Sequence, residues 1–225
     1  IHLSKASKIY KMGKIDVSAL SGVSLYVKQG EMISIVGPSG SGKSTLMNIL
    51  SGTIGEWSGK VLLRGQPIQP LNYHEASLMG IARVFQEQAL VLNLPVYENM
   101  FLSHESRFTR AGFLINRQRM ADVAQKELKI LGLDIDVRRP TGDYDFASRQ
   151  TIEIAKAFGL SQMLGTGVPV ILLDEPTAAL PNREIEAFFS RLDELRSRAA
   201  TIFISHRLSE VLGICDRLYV LKDGQ

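Results

Sequence analysis

One cysteine, Cys215, stands in 225 residues. No disulfide can form within the chain, and the composition fits a reducing compartment. Cys215 ends the apolar, helix-like stretch Val211-Leu-Gly-Ile-Cys, so a packed thiol is expected rather than a reactive one. No apolar run approaches the roughly 18–20 residues that a bilayer-spanning helix needs; a membrane role would have to come through a partner. Charge of one sign is also missing. Lys and Arg total 26 against 23 Asp and Glu, a net charge of +3, and the basic residues are scattered rather than gathered into a patch. That balance argues against nucleic acid as a partner. No internal repeat, low-complexity tract or Asn-Lys-x-Asp guanine-reading motif is visible. Hydrophobic residues make up 45 %, ordinary for a packed globular core. Ile1 and the closing Lys222-Asp-Gly-Gln225 read as fragment boundaries, and more protein is expected beyond them.

What is present is organised around Gly37-Pro-Ser-Gly-Ser-Gly-Lys-Ser-Thr45, a match to G-x-x-x-x-G-K-[ST]. Gly37, Gly40 and Gly42 let the backbone curl so that its N–H groups face a phosphate. Pro38, Ser39, Ser41 and Thr45 complete the cradle, Lys43 reaches β- and γ-phosphates, and Ser44 offers a hydroxyl to Mg²⁺. The preceding Glu31–Val36 reads as a buried strand. Ser44–Ser51 reads as a helix stopped by Gly52. Strand, loop and helix in that order put the positive helix end beneath the phosphates.

Upstream, residues 1–28 read as two or three strands with turns at Gly13, Gly22 and Gly30. Tyr10 could stack on a base or serve the core or surface. Downstream, strands are expected at Lys60–Arg64 and Ala82–Phe85. The second ends at Gln86, where either an active-site contact or a solvated loop residue fits. Residues 87–160 change character. Leu90–Leu102 is apolar without strand alternation, Arg117–Leu131 and Phe146–Leu160 read as helices, and no strand is evident, so the block reads as an inserted helical subdomain. Val170–Leu173 is an apolar strand that delivers Asp174-Glu175 at its end. Beside a phosphate loop, Asp174 can hold Mg²⁺ and Glu175 can polarise a water; capping the next helix is the plainer use. Pro181 suits the start of a helix over Arg183–Arg198. Thr201–Ile204 is a strand ending at Ser205-His206, where His206 could contact a γ-phosphate or be structural. Arg217–Leu221 is a last strand.

Tyr10, the loop 37–45, Gln86, Asp174-Glu175 and His206, with a helical insertion between the third and fourth, resemble the nucleotide-binding domain of ABC transporters over the whole chain. The resemblance implies one domain over residues 1–225. Its class would be α/β: a P-loop NTPase, RecA-like core (1–86 and 160–225), an N-terminal antiparallel β subdomain and an inserted α-helical subdomain (about 87–160). It implies ATP and Mg²⁺ as ligands. Tyr10 would stack on adenine, Gln86 would sense Mg²⁺ and the membrane partner, Glu175 would be the catalytic base and His206 the γ-phosphate switch. Val84-Phe-Gln-Glu87, Val96-Tyr-Glu-Asn-Met100, Leu131-Gly-Leu-Asp134, Ile152-Glu-Ile-Ala-Lys-Ala157, Asp174-Glu-Pro-Thr-Ala-Ala-Leu180 and Ile204-Ser-His-Arg207 resemble monosaccharide importers of the ribose and galactose type. There, two ATPase halves share one chain, and this sequence resembles the first half. The implied partners are a second ABC ATPase domain, transmembrane permease subunits and, indirectly, a solute-binding protein; the implied place is the inner face of the cell membrane. Residues 1–52 look more like lipoprotein-releasing and macrolide-exporting ATPases.

Three departures from that pattern stand out. Aligned on Ile152–Ala157, Tyr144-Asp-Phe-Ala-Ser148 replaces the Leu-Ser-x-Gly-Gln signature, so Asp145 stands where a serine faces the opposite domain's γ-phosphate. A carboxylate opposes a triphosphate there. Pro181 follows Leu180 where many members carry an acidic residue. Gly159–Pro169 is longer than expected before the 170–173 strand. The rival readings are a homodimeric exporter or lipoprotein-release ATPase, a non-hydrolysing regulatory module, and an ABC ATPase of DNA repair or translation. The last would carry a long coiled-coil insertion or a basic linker, and neither is present.

Overall fold

The computed structural model describes residues 1–13, 15–85, 89–110, 114–178, 180–205 and 208–225, without the side chains of residues 12, 110, 182, 183 and 208–210. In chain order the strands are β1 (His2–Met12), β2 (Ile15–Tyr26), β3 (Met32–Val36), β4 (Ser58–Leu63), β5 (Gln66–Ile68), β6 (Ile81–Val84), β7 (Thr109–Arg110), β8 (Leu114–Ile115), β9 (Val170–Asp174), β10 (Ala200–Ile204) and β11 (Arg217–Val220). The helices are α1 (Lys43–Leu50), α2 (Tyr73–Leu78), α3 (Val96–Met100), α4 (Arg117–Ile130), α5 (Phe146–Leu164), α6 (Asn182–Glu194) and α7 (Leu208–Ile214).

The central sheet is parallel, in the order β11-β3-β10-β9-β6. Every residue of β3, β9 and β10 is buried, which is why these strands read as unbroken apolar runs: a parallel sheet covered on both faces needs no polar side. Alternation along the strands divides two cores. Ile33, Ile35, Leu172 and Ile202 face α1 and the antiparallel sheet, where they meet Leu46, Met47, Leu3 and Val61. Met32, Val36, Ile171, Leu173 and Phe203 face the helices, where they meet Phe101, Phe158 and Phe188. Each such side chain contributes about 1.5–3 kcal/mol by leaving water. The second sheet is antiparallel, β2-β1-β4-β5.

The sequence-based reading needs correction in four places. Gly22 is not a turn between strands. It lies inside β2 with φ of 71°, where the β1–β2 register slips between Ala6 and Lys8, as a β-bulge does. Between Phe85 and Asn116 the chain forms the two-residue strands β7 and β8, too short for any periodic signal. α5 does not stop at Leu160 but continues to Leu164 and ends on Gly165 in the left-handed conformation, so much of the long segment before β9 is the end of this helix. The helix after Pro181 ends at Glu194, and a 3₁₀ turn follows at Arg196–Arg198.

The segment leading into α3 is tied to the one leading into α5. Asn99, buried on α3, accepts from Val91 N–H and donates to Val91 O and Thr141 Oγ1 at 2.7–2.8 Å.

Candidate functional site

β3 delivers the chain to Gly37 and α1 takes it away at Lys43. Two glycines between them are forced by close approach. A Cβ on Gly37 would lie 2.0 Å from Leu221 O, and one on Gly42, whose φ is 102°, would lie 2.4 Å from Ala19 O. The loop is thus clamped between β2 and the C-terminal turn, where Gly224 N–H donates to Ser41 O. Gly40, by contrast, has a φ of 78° and nothing within 4 Å of an added Cβ. The first helical bond runs from Leu46 N–H to Gly42 O. The N–H groups of the first turn, with no carbonyl of their own helix to bond, are available to an anion.

Lys43, 6 % exposed, folds back on the loop. Its Nζ donates to Gly37 O at 2.8 Å and Pro38 O at 2.9 Å. Burial pulls its ammonium below the ordinary lysine range, while the Glu175 and Asp174 carboxylates oppose that shift. Residues 39–45, together with Ala19 and Glu175, line an open cavity of about 230 Å³; the carbonyls of Gly37 and Pro38 tether Lys43. Glu175 comes off the end of β9 in the left-handed conformation, φ 50°, with its N–H bonded to Ile204 O at 3.0 Å. Such a backbone costs a non-glycine residue on the order of 1–3 kcal/mol and persists where the surroundings impose it. Donors and a carboxylate lining one cavity form a chamber suited to a polyphosphate and a water.

Asp174 is 8 % exposed and does not line this chamber; its carboxylate is held by Arg83, whose Nη2–H donates to Oδ2 at 2.7 Å. Sequence reasoning missed Arg83, although a lone charge inside Ile81-Ala-Arg-Val84 was a readable signal. Tyr10 lies outside the chamber on β1, partly exposed, with the Lys8 ammonium 5.1 Å from its ring centroid. Gln86 and His206 lie outside the described residues.

Asp145 stands at the N-terminus of α5. Its Oδ1 accepts from Ser148 N–H at 2.8 Å, and that bond holds its carboxyl below the ordinary aspartate range. The group is therefore an anion at neutral pH. From the same helix, Gln150 donates to Pro176 O, next to Glu175. Glu153 accepts from Ala89 N–H at 2.7 Å, and burial pushes its carboxyl up to about 7. α5 thus grips both the segment after Glu175 and the one after Phe85.

Residues 20–178 match the ABC transporter family model. The chain is 41 % identical over 212 residues to a xylose import ATP-binding protein of Geobacillus kaustophilus, covering 93 % of this chain and 40 % of the relative. It is 40 % identical over 207 residues to a ribose import ATP-binding protein of Bacillus cereus, covering 92 % and 40 %. The chain therefore spans about two fifths of the length of these relatives. A dimeric post-hydrolysis state of an ATP-binding cassette bound to ADP and Pi superposes with a TM-score of 0.78 at 29 % identity, over 99 % of this chain and 94 % of that one. A nucleotide-free cassette of an ABC transporter superposes with a TM-score of 0.81 at 29 % identity, over 100 % and 88 %. The P-loop NTPase core, the antiparallel β subdomain and the helical block recur in those cassettes, and the chain belongs to the ABC transporter family.

Proposed function

We propose that this chain is an ATP-binding, ATP-hydrolysing domain of an ABC importer for a monosaccharide or a related small solute. It would act as a peripheral component at the inner face of the membrane, with a second ABC ATPase domain, permease subunits and, indirectly, a solute-binding protein. In this reading residues 1–225 are one ATPase domain, with a core of 1–86 and 160–225 and a helical subdomain of about 87–160. The observation that carries it is the chamber that residues 39–45 line together with Glu175, which is held in a strained backbone. The sugar-import names of the relatives support the solute class.

The chemistry follows from the residues. N–H groups of the loop take the phosphate oxygens, and Lys43 leaves the carbonyls of Gly37 and Pro38 for the β- and γ-phosphates. Glu175 orients the attacking water in line with the γ-phosphorus and takes its proton. Ser44, Asp174 and Gln86 offer the hard oxygen donors that Mg²⁺ prefers, and when bound this ion would neutralise charge shared by the β- and γ-phosphates. Tyr10 would take the adenine and His206 the γ-phosphate.

Asp145 makes the assembly unequal. It gives the opposite domain's triphosphate an anion where a donor is wanted, so that site would be weak, while this chain's own site depends on the partner's signature. A homodimer of the exporter type would carry the defect twice, which favours the importer reading.

The test is a fluorescent ATP analogue and a phosphate-release assay. The wild-type domain should bind Mg-ATP and turn over slowly until a partner half with an intact signature is added. Glu175→Gln should keep binding and lose at least about a hundredfold in stimulated turnover. Fast turnover by the isolated domain, or wild-type turnover in Glu175→Gln, would sink the assignment.

A further inference from the structure

Ile81 and Val84 of β6 are packed hydrophobic residues, yet Arg83 between them is only 9 % exposed. A full charge in that position requires partners, and they come from two elements of the nucleotide site. Nη2–H donates to Asp174 Oδ2 at 2.7 Å, at the end of β9. Nη1–H donates to Asn48 Oδ1 at 2.5 Å and Ser51 Oγ at 3.3 Å, both from α1 and its C-cap. The guanidinium also lies 4.7 Å from the Phe85 ring centroid. Asn48 is four residues after Ser44 and so on the same face of α1. A fixed cation is therefore lodged beside the carboxylate that, with Ser44, would receive the metal.

We propose that Arg83 is a positioning residue that serves Asp174 as a resident counter-cation and weakens the affinity of the site for Mg²⁺. The inference rests on the ATP-site reading above. A carboxylate held at 2.7 Å by a guanidinium has one oxygen committed. A divalent ion brought to the other oxygen meets a positive charge within a few ångströms, in poorly screened surroundings. Arginine does not escape by losing its proton, so the repulsion persists at every working pH. The same fork keeps Asp174 oriented before any metal arrives. Nucleotide affinity then comes mainly from the loop N–H groups and Lys43, and the metal joins weakly.

The experiment is a titration of Mn²⁺, as a probe for Mg²⁺, into the chain loaded with a non-hydrolysable ATP analogue, read by the electron paramagnetic resonance of free Mn²⁺. Arg83→Gln, which keeps a hydrogen bond but no charge, should bind Mn²⁺ about tenfold or more tighter than wild type, and Arg83→Lys should stay within about threefold. Equal Mn²⁺ affinity in wild type and Arg83→Gln overturns the inference, because a purely architectural ion pair would not alter it. Should Arg83→Gln not fold, the wild-type chain gives a second reading. Its analogue affinity should fall by less than about threefold when EDTA replaces Mg²⁺, and a fall of about thirtyfold overturns the inference. A wild-type chain that binds no nucleotide under either condition defeats the ATP-site reading itself, whereas nucleotide binding with unchanged metal affinity defeats only the role of Arg83.

Discussion

Glu153 lends itself to a quantitative test. It lies on α5, 8 % exposed. One oxygen accepts from Ala89 N–H, and Oε2 has no hydrogen-bond partner among the described residues. Burial raises its carboxyl from 4.5 to about 7, against the smaller opposing pulls of the Ala89 N–H and the Lys156 ammonium. The folded state thus holds a proton that the unfolded state has already lost, so stability falls as pH rises from about 4.5 to about 7 and stays reduced above that. A shift of this size corresponds to about 3 kcal/mol. Glu153→Gln keeps the acceptor for Ala89 and removes the charge, so it should stabilise the domain by about 3 kcal/mol at pH 8, or roughly 6–12 °C in Tm for a domain of this length. The gain should shrink towards zero at pH 4.5. Urea unfolding of both proteins at pH 8, 6.5 and 5 measures it. A difference independent of pH, or a Glu153→Gln variant less stable at pH 8, would show that the carboxylate is satisfied by something other than a proton.

Three further outcomes are expected. Asp145→Ser, paired with an intact second domain, should raise turnover at the opposite site about tenfold or more, because a hydroxyl replaces an anion beside the triphosphate. Its own stability should change by less than about 1 kcal/mol, since serine also caps helices; unchanged turnover would remove Asp145 from the interface. Gly42→Ala would place a methyl 2.4 Å from Ala19 O, so analogue binding should be lost, and full binding would mean that the loop adapts. Cys215 is half-buried, and burial pushes its thiol up to about 12; a disulfide reagent at pH 8 should label it slowly until denaturant is added, and immediate labelling would show that the packing is open.

The parts of this structure that were legible in the sequence are those whose physics is local. The loop 37–45 and the strand before it could be read because glycine spacing and an apolar run lie side by side. So could the strand that carries Asp174-Glu175, because Val170–Leu173 is an unbroken apolar run. Arg83 could not be assigned, since its partner Asp174 is 91 residues away and they meet only because β6 pairs with β9. The intervening β10, which separates β3 from β9, carries no mark of that position. α2 was missed despite a readable cap, Asn72 accepting from Glu75 N–H at 2.9 Å, because six residues are too few for a periodic signal. The expected end of α5, Leu160, follows Gly159 directly. In the fold that glycine is a contact point: a Cβ would meet the Phe101 ring at 3.3 Å, and the helix passes through.

Arg83 and Asp145 share a feature that explains how the fold carries both charges. Each is held locally: Arg83 by Asp174 and Asn48, Asp145 by the Ser148 N–H at a helix N-terminus, where an anion is stabilised. Asp145 costs the isolated domain little, whereas the buried Arg83–Asp174 pair carries a desolvation penalty and Arg83 Nε has no hydrogen-bond partner among the described residues. Further costs arise later. For Arg83 the cost comes when a divalent ion approaches Asp174; for Asp145 it comes when a second domain brings a triphosphate to α5. In the proposed reading the two events involve different sites, one in this domain and one across the dimer. Stability measurements on the domain alone are therefore insensitive to Asp145→Ser, whereas Arg83→Gln leaves the buried Asp174 carboxylate without its counter-charge and should lower stability. In the proposed reading Arg83 acts at the step that joins metal to bound nucleotide and Asp145 at the step that joins the partner, while residues 39–45 form the cradle itself.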